Sequence, residues 1–89
     1  MFRLWGKIIS SNHVRADFVA EDGSDLNRTR KVFAALEQIA HEFDIQVPIW
    51  LDRNIDEFRR RSHTRFSQDN FIEHIDFDWL EIQVIEEDI

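Results

Sequence analysis

The densest group of reactive side chains is basic: three consecutive arginines at 59–61 with a histidine and an arginine just beyond, in a chain of net charge −7. Guanidinium groups bind carboxylates and phosphates through paired hydrogen bonds, so such a run is typical of an anion-binding or nucleic-acid-binding patch. The candidate binding residues are Arg59, Arg61, His63 and Arg65.

Internal ion pairing is the more economical explanation of the same run. Asp56 precedes Arg60 by four residues and Glu57 precedes Arg61 by four, the favourable acid-first order on a helix. From Asp69 onward the chain carries eight acidic residues and no Lys or Arg. Arginines without a local partner are therefore expected to pair with carboxylates of the C-terminal segment.

The other residue types that do chemistry are present without the spacing that chemistry needs. There is no Cys, and the four His are scattered, so three or four convergent zinc ligands are not expected. The acidic stretch EDGSD at 21–25 lacks the ligand spacing of a calcium loop and predicts a turn with Ser24 or Asp25 capping a helix. No GxSxG elbow or phosphate loop occurs. We therefore expect no catalytic residue, no metal and no cofactor, and a protein that is not an enzyme.

Length and charge limit the function classes further. At 89 residues, with two Gly and one Pro, residues 1–89 are expected to form a single domain. The net negative charge opposes nucleic-acid binding over most of the surface, because phosphates would be repelled except at a local basic patch. No membrane span or signal-peptide pattern is evident, which predicts a cytoplasmic protein.

The elements that position these residues are predicted from periodicity. Residues 26–43 place their apolar side chains within one arc, which predicts a long amphipathic helix. Residues 2–10 and 13–21 alternate around a turn at 10–12, which predicts a β-hairpin with Val14, Ala16, Phe18 and Ala20 on one face.

The second half predicts shorter elements. A helix is expected to begin near Asn54, with Asn54 as cap and Glu57 completing a capping box, and one or two helical turns follow from Ser67 to His74. Residues 75–87 alternate as a final strand. The predicted fold is α+β: a three-stranded, mostly antiparallel sheet covered by the long helix, with the short basic helix at its side or second face and the strand order open.

One long helix covers only one face of such a sheet. The short segments offer four inward apolar residues for the other face: Ile55, Phe58, Phe71 and Ile72. We therefore expect part of that face to remain apolar and to be buried in a homodimer. The predicted interface residues are Trp5, Ile9, Val19, Phe77, Trp79 and Ile85.

Several segments also resemble a family of small bacterial proteins of about this length, described as uncharacterised conserved proteins. The resemblance is carried by PIWLDRNIDEF (48–58), TRFSQDNFIE (64–73) and IDFDWLEIQVIEED (75–88), with RLWGKI (3–8) and RTRKVFAAL (28–36) in agreement. It implies a small cytoplasmic domain and transfers no activity, catalytic residue or binding residue. The function predicted is a small protein-interaction domain acting through a surface, with anion or nucleic-acid binding by the basic run as the alternative.

Overall fold

The computed structural model describes residues 1–87 and has an α+β fold in which a four-stranded sheet carries two helices. In chain order the elements are β1 (Phe2–Ser10), β2 (His13–Asp22), α1 (Arg28–Glu42), α2 (Asp52–Arg61), β3 (His63–Phe66) and β4 (Trp79–Glu86), with a 3-10 turn at Gln68–Asn70. The strand order is β2-β1-β4-β3, and every neighbouring pair is antiparallel.

The predicted three-stranded sheet was wrong by one strand, β3. This strand is four residues long and begins one residue after α2 ends, with Ser62 between them in a left-handed conformation (φ 54°). Phe66 is the one apolar residue in this segment, so no apolar–polar alternation marks it as a strand in the sequence. Pairing with β4 defines β3, since His63 lies opposite Gln83 and Phe66 opposite Leu80.

The β1–β2 hairpin forms as predicted, with Ser11 and Asn12 at φ 52° and 64° in its turn. Two consecutive positive φ angles give the turn that matches the twist of paired strands. A bulge follows in β2, because Ile8 pairs with Ala16 whereas Ile9 pairs with Val14. The extra residue moves Val14 to the opposite face from Ala16, which corrects the predicted alternation.

Helix α1 lies within the predicted segment, but its N-cap is Asn27 rather than Ser24 or Asp25. The Asn27 side chain accepts a hydrogen bond from the Arg30 backbone N–H at 3.0 Å. The Ser24 backbone N–H instead donates to the Asp22 carboxylate at 2.7 Å, a hydrogen bond within the turn that precedes the helix. The capping residue is thus the last polar side chain before the helix.

The contact between α1 and the sheet is closest at Gly6 in the middle of β1. A Cβ atom at Gly6 would lie 2.6 Å from Cγ2 of Ile39, which is fully buried. The missing side chain therefore lets the helix approach the strand. The fully buried Leu4 and the nearly buried Ile8 extend the same side of β1.

Helix α2 begins at Asp52, two residues before the predicted start at Asn54. Asn54 is not the cap: it is the third residue of the helix, and its Oδ1 accepts from the Leu51 backbone N–H at 3.1 Å. Its buried amide donates to Thr64 Oγ1 at 3.0 Å and to the Arg65 carbonyl at 2.8 Å. The Asn therefore fixes α2 to β3 as well as closing the turn that precedes it.

Both helices pack on one face of the sheet. Thr64 and Phe66 on β3 are fully buried opposite Ile82 and Leu80, on the side of the sheet that carries Gly6. Trp50 fills the space between the helices, and its ring centroid lies 6.1 Å from Phe33 of α1, 5.5 Å from Phe58 of α2 and 5.1 Å from Phe66. Helix α2 therefore does not cover the second face, contrary to one of the two predicted placements.

Two predicted inward residues of the short segments are exposed. Ile55 is 41% exposed and Ile72 is 81% exposed, whereas Phe58 and Phe71 are buried as expected. The segment around Ile72 is held through backbone contacts, since the Gln46 side chain accepts from its N–H at 3.0 Å.

The loop from Ser67 to Asp78 is held by Asn70. Its side chain accepts from the Ser67 backbone N–H at 3.0 Å and donates to the Ile49 carbonyl and to Asn54 Oδ1, each at 2.7 Å. Two buried asparagines in contact thus join the start of α2, the start of the 3-10 turn and the strand between them. Such a network costs free energy unless every member is bonded, and here it is.

Candidate interaction surface

Neither α1 nor α2 packs on the sheet face opposite the side that carries Gly6, and we call this second face the open face. Residues that pair across neighbouring strands share a face, so the register defines its rows. One row, the charged row, contains Asp17, Lys7, Glu81 and Arg65. The next, the aromatic row, contains Val19, Trp5, Gln83 and His63. The rows that flank these two contain Val14, Ile9 and Trp79 at one end and Glu21, Arg3 and Glu86 at the other.

Glu81 is the centre of the open face and contacts three basic residues. Its carboxylate lies 3.0 Å from Lys7 Nζ, 3.2 Å from His63 Nε2 and 3.4 Å from Arg65 Nε. Glu81 and Lys7 are only 14% and 13% exposed, although no helix covers them. Burial raises the pKa of Glu81, but hydrogen bonds from Lys7 and His63 outweigh burial and hold that pKa below its ordinary value.

Two half-buried tryptophans stand beside this ionic centre. Lys7 Nζ lies 4.0 Å from the ring centroid of Trp5, and the Arg65 guanidinium lies 4.6 Å from that of Trp79. Their indole N–H groups are also bonded, that of Trp5 to Asp17 at 2.9 Å. Each indole therefore has a cation near its ring and a bonded N–H, so it contacts both charged and polar groups of the open face.

The predicted binding residues do not form one cluster. His63 and Arg65 project from β3 to Glu81 on the open face, as the internal charge pairing predicted for Arg65. Arg59 lies on the other side of the sheet, between the helices. The predicted Asp56–Arg60 pair forms at 3.4 Å, but within residues 1–87 Arg61 has no ion pair with Glu57 and neither Arg59 nor Arg61 has an acidic partner.

Four of the six predicted interface residues lie on the open face: Trp5, Ile9, Val19 and Trp79. Of these, Ile9 is buried at 8% exposure, so the expectation that it is exposed interface surface was wrong. Ile85 is 45% exposed at an irregularity of β4, where pairing shifts from Leu4–Val84 to Arg3–Glu86. Phe77 was assigned wrongly: it is buried against the core, with its ring 6.0 Å from Phe71. Strand β4 begins at Trp79, so the alternation that placed Phe77 on the second face does not extend to it.

Two further features, Lys7 and a groove between the helices, have little signal in the sequence. Lys7 is a single cation in an apolar strand, and only its register opposite Glu81 shows its role. The groove has a volume of about 280 Å³ and apolar walls from Phe33, Trp50 and Ile55. Arg28 at its rim is bonded to Glu87 at 3.1 Å.

In the part of the chain that the structure describes, no group of three or more His, Asp or Glu side chains is arranged to hold a metal ion. Within residues 1–87, neither helix combines the length and apolar character that crossing a membrane requires.

Comparison with known proteins adds no homologue. No protein-family model, no curated protein and no solved structure matches this chain. The resemblance to small bacterial proteins therefore stays a hypothesis, and the case for function rests on the open face.

Proposed function

We propose that this protein is a small, non-enzymatic protein-interaction domain that contacts its partner through the open face. The observation that carries the proposal is the placement of both helices on one side of the sheet, which leaves Trp5 and Trp79 on the other. Tryptophan and arginine are the side chains that contribute most to binding at protein interfaces.

The composition of the open face supports a protein partner over a small molecule. The face is broad, and its polar groups are already bonded to one another, as at Glu81. Small-molecule sites are concave and enclosed, whereas protein interfaces combine an aromatic centre with a polar rim. Arg3, 45% exposed and bonded to Glu21 at 2.9 Å, belongs to such a rim.

The test is affinity capture with three matched baits: the unmodified chain, Trp79→Glu on the open face, and Phe33→Asp in the groove between the helices. Both substituted residues are at least partly exposed, so both variants are expected to fold. Proteins retained by the unmodified chain and by Phe33→Asp should be lost with Trp79→Glu.

Retention of the same proteins by all three baits would contradict the use of the open face. Loss with Phe33→Asp alone would assign the interaction to the groove instead. Circular dichroism of each bait before capture ensures that a lost interaction is not a lost fold.

A further inference from the structure

We infer that the open face binds the open face of a second copy of this chain, with the two sheets related by a two-fold axis parallel to the strands. This inference rests on the proposed function and names the partner of the same surface. The axis runs between β1 and β4, so that β1 of one copy lies over β4 of the other and β2 lies over β3. The charge pattern of the charged row supports this arrangement.

The charged row alternates in sign across the sheet: Asp17, Lys7, Glu81 and Arg65 from the β2 edge to the β3 edge. A two-fold axis parallel to the strands places this row against its own reversed copy. Asp17 then faces Arg65 of the second copy, and Lys7 faces Glu81 of the second copy. Every acid meets a base, and a symmetric interface makes each contact twice.

The neighbouring rows are compatible with the same arrangement. Reversal places Trp79 of the second copy over Ile9, which is only 8% exposed and adds little contact area, and places Trp5 against the Gln83 amide. At the far end, Arg3 faces Glu86 of the second copy, the residue type it already bonds within its own chain at 3.4 Å. Across these rows, no like charges are brought together.

The dimensions of the face suit a specific but modest dimer. Strands about 4.8 Å apart and about 3.3 Å per residue give four strands a face of roughly 500 Å² in projection. Two such faces bury about 1,000 Å² or more, near the lower limit of specific interfaces. The strands of two sheets packed face to face cross at about −30°. Residues of the two copies therefore stay opposite each other near the centre of the interface better than at its corners. We therefore expect reversible association in the micromolar range.

Charge reversal tests this arrangement with full-length chain. In Arg65→Glu, Asp17 would face a carboxylate twice; in Asp17→Lys, Arg65 would face an ammonium group twice. Each variant alone should dimerise at least about tenfold more weakly, because like charges across an interface are strongly unfavourable. An equimolar mixture restores both contacts, so a heterodimer should form with affinity within about threefold of the original dimer.

Native mass spectrometry distinguishes the heterodimer from either homodimer by mass. Arg61→Glu is the matched control, since it reverses an exposed arginine that is not on the open face, and it should leave dimerisation unchanged. The salt dependence of the unmodified dimer requires no variant: association should weaken several-fold on raising salt to about 0.5 M, where charges are screened.

Three results would overturn the inference: a monomer throughout the micromolar range, a dimer that neither reversal weakens, or a mixture no better associated than its components. None of these removes the proposed function, because the three-bait capture experiment detects any other protein on the open face. Conversely, a heterodimer that follows these pairings would establish the geometry even if no other partner is captured.

Discussion

Replacing Glu81 by Gln removes the carboxylate at the centre of the open face while keeping the size of the side chain. The change leaves Lys7, His63 and Arg65 without their shared anion. Lys7 is as buried as Glu81, so its hydrogen bond is not the weak contact of an exposed pair, whereas Arg65 is 57% exposed and contributes less than Lys7. A hydrogen bond between charged groups contributes about 2 kcal/mol to stability. Its loss in Glu81→Gln should therefore lower the Tm of a domain of this size by roughly 10 °C.

The same cost should depend on pH in a defined direction. Because the pKa of Glu81 is lowered in the folded state, its ionised form stabilises the fold above the ordinary value of 4.5. That stabilisation is lost as the pH falls below 4.5 and through the folded-state pKa. The difference between the original chain and Glu81→Gln should therefore be largest near neutral pH and shrink in acid.

Urea unfolding followed by tryptophan fluorescence measures this difference. Urea leaves ionic interactions unscreened, and a low fixed protein concentration keeps self-association from contributing. Glu37→Gln is the control, since it removes an exposed helical carboxylate and should cost much less. If Glu81→Gln is equally costly at pH 7 and in acid, or costs nothing at pH 7, the assigned role of Glu81 is refuted.

Three further predictions test the fold that presents the open face. Gly6→Ala should destabilise the chain by about 1–3 kcal/mol, because the new Cβ would lie 2.6 Å from Ile39. Thermal melts should also show that Ile39→Ala costs less stability in the Gly6→Ala background than in the original chain. Asn54→Ala should cost about 2–4 kcal/mol in urea, because it leaves several buried polar groups unbonded, and a loss under 1 kcal/mol would contradict the network. Arg60→Ala should cost well under 1 kcal/mol and Arg65→Ala more, since only Arg65 bonds a mostly buried carboxylate; equal melting temperatures would contradict this.

The long helix and the hairpin could be predicted from sequence because their signal is local and repeated. Residues within 28–42 keep one apolar stripe over four turns, and the turn at Ser11 and Asn12 carries residues that tolerate positive φ. The bulge in β2 could not be predicted, because it adds one residue without a change of composition. Its effect on Val14 appears only in the pairing with β1.

The errors in the second half arise where long-range contacts decide a residue's role. Asn54 matched a helix cap in sequence, but its side chain is used by Thr64, ten residues away, and by Asn70. Phe77 continued the alternation of β4, but the strand begins only at Trp79 and the ring turns into the core. Sequence spacing cannot reveal either contact.

The open face was predicted in part. Trp5, Ile9, Val19 and Trp79 were placed together by strand alternation alone. Its ionic centre was not predicted, because Lys7 and Glu81 are 74 positions apart in the chain and meet only through the β1–β4 register. The basic run divides between two surfaces for a related reason: β3 turns His63 and Arg65 to the open face while α2 keeps Arg59 near α1.

The most direct test of the central claim, that a protein covers the open face, is hydroxyl-radical footprinting of the three tryptophans in living cells and in dilute purified chain. All three are half-buried, and Trp50 is an internal control because it lies between the helices. If a protein covers the open face, oxidation of Trp5 and Trp79 should fall several-fold in cells while oxidation of Trp50 does not change. If oxidation of Trp5 and Trp79 is the same in cells as in the dilute purified chain, no protein covers the open face.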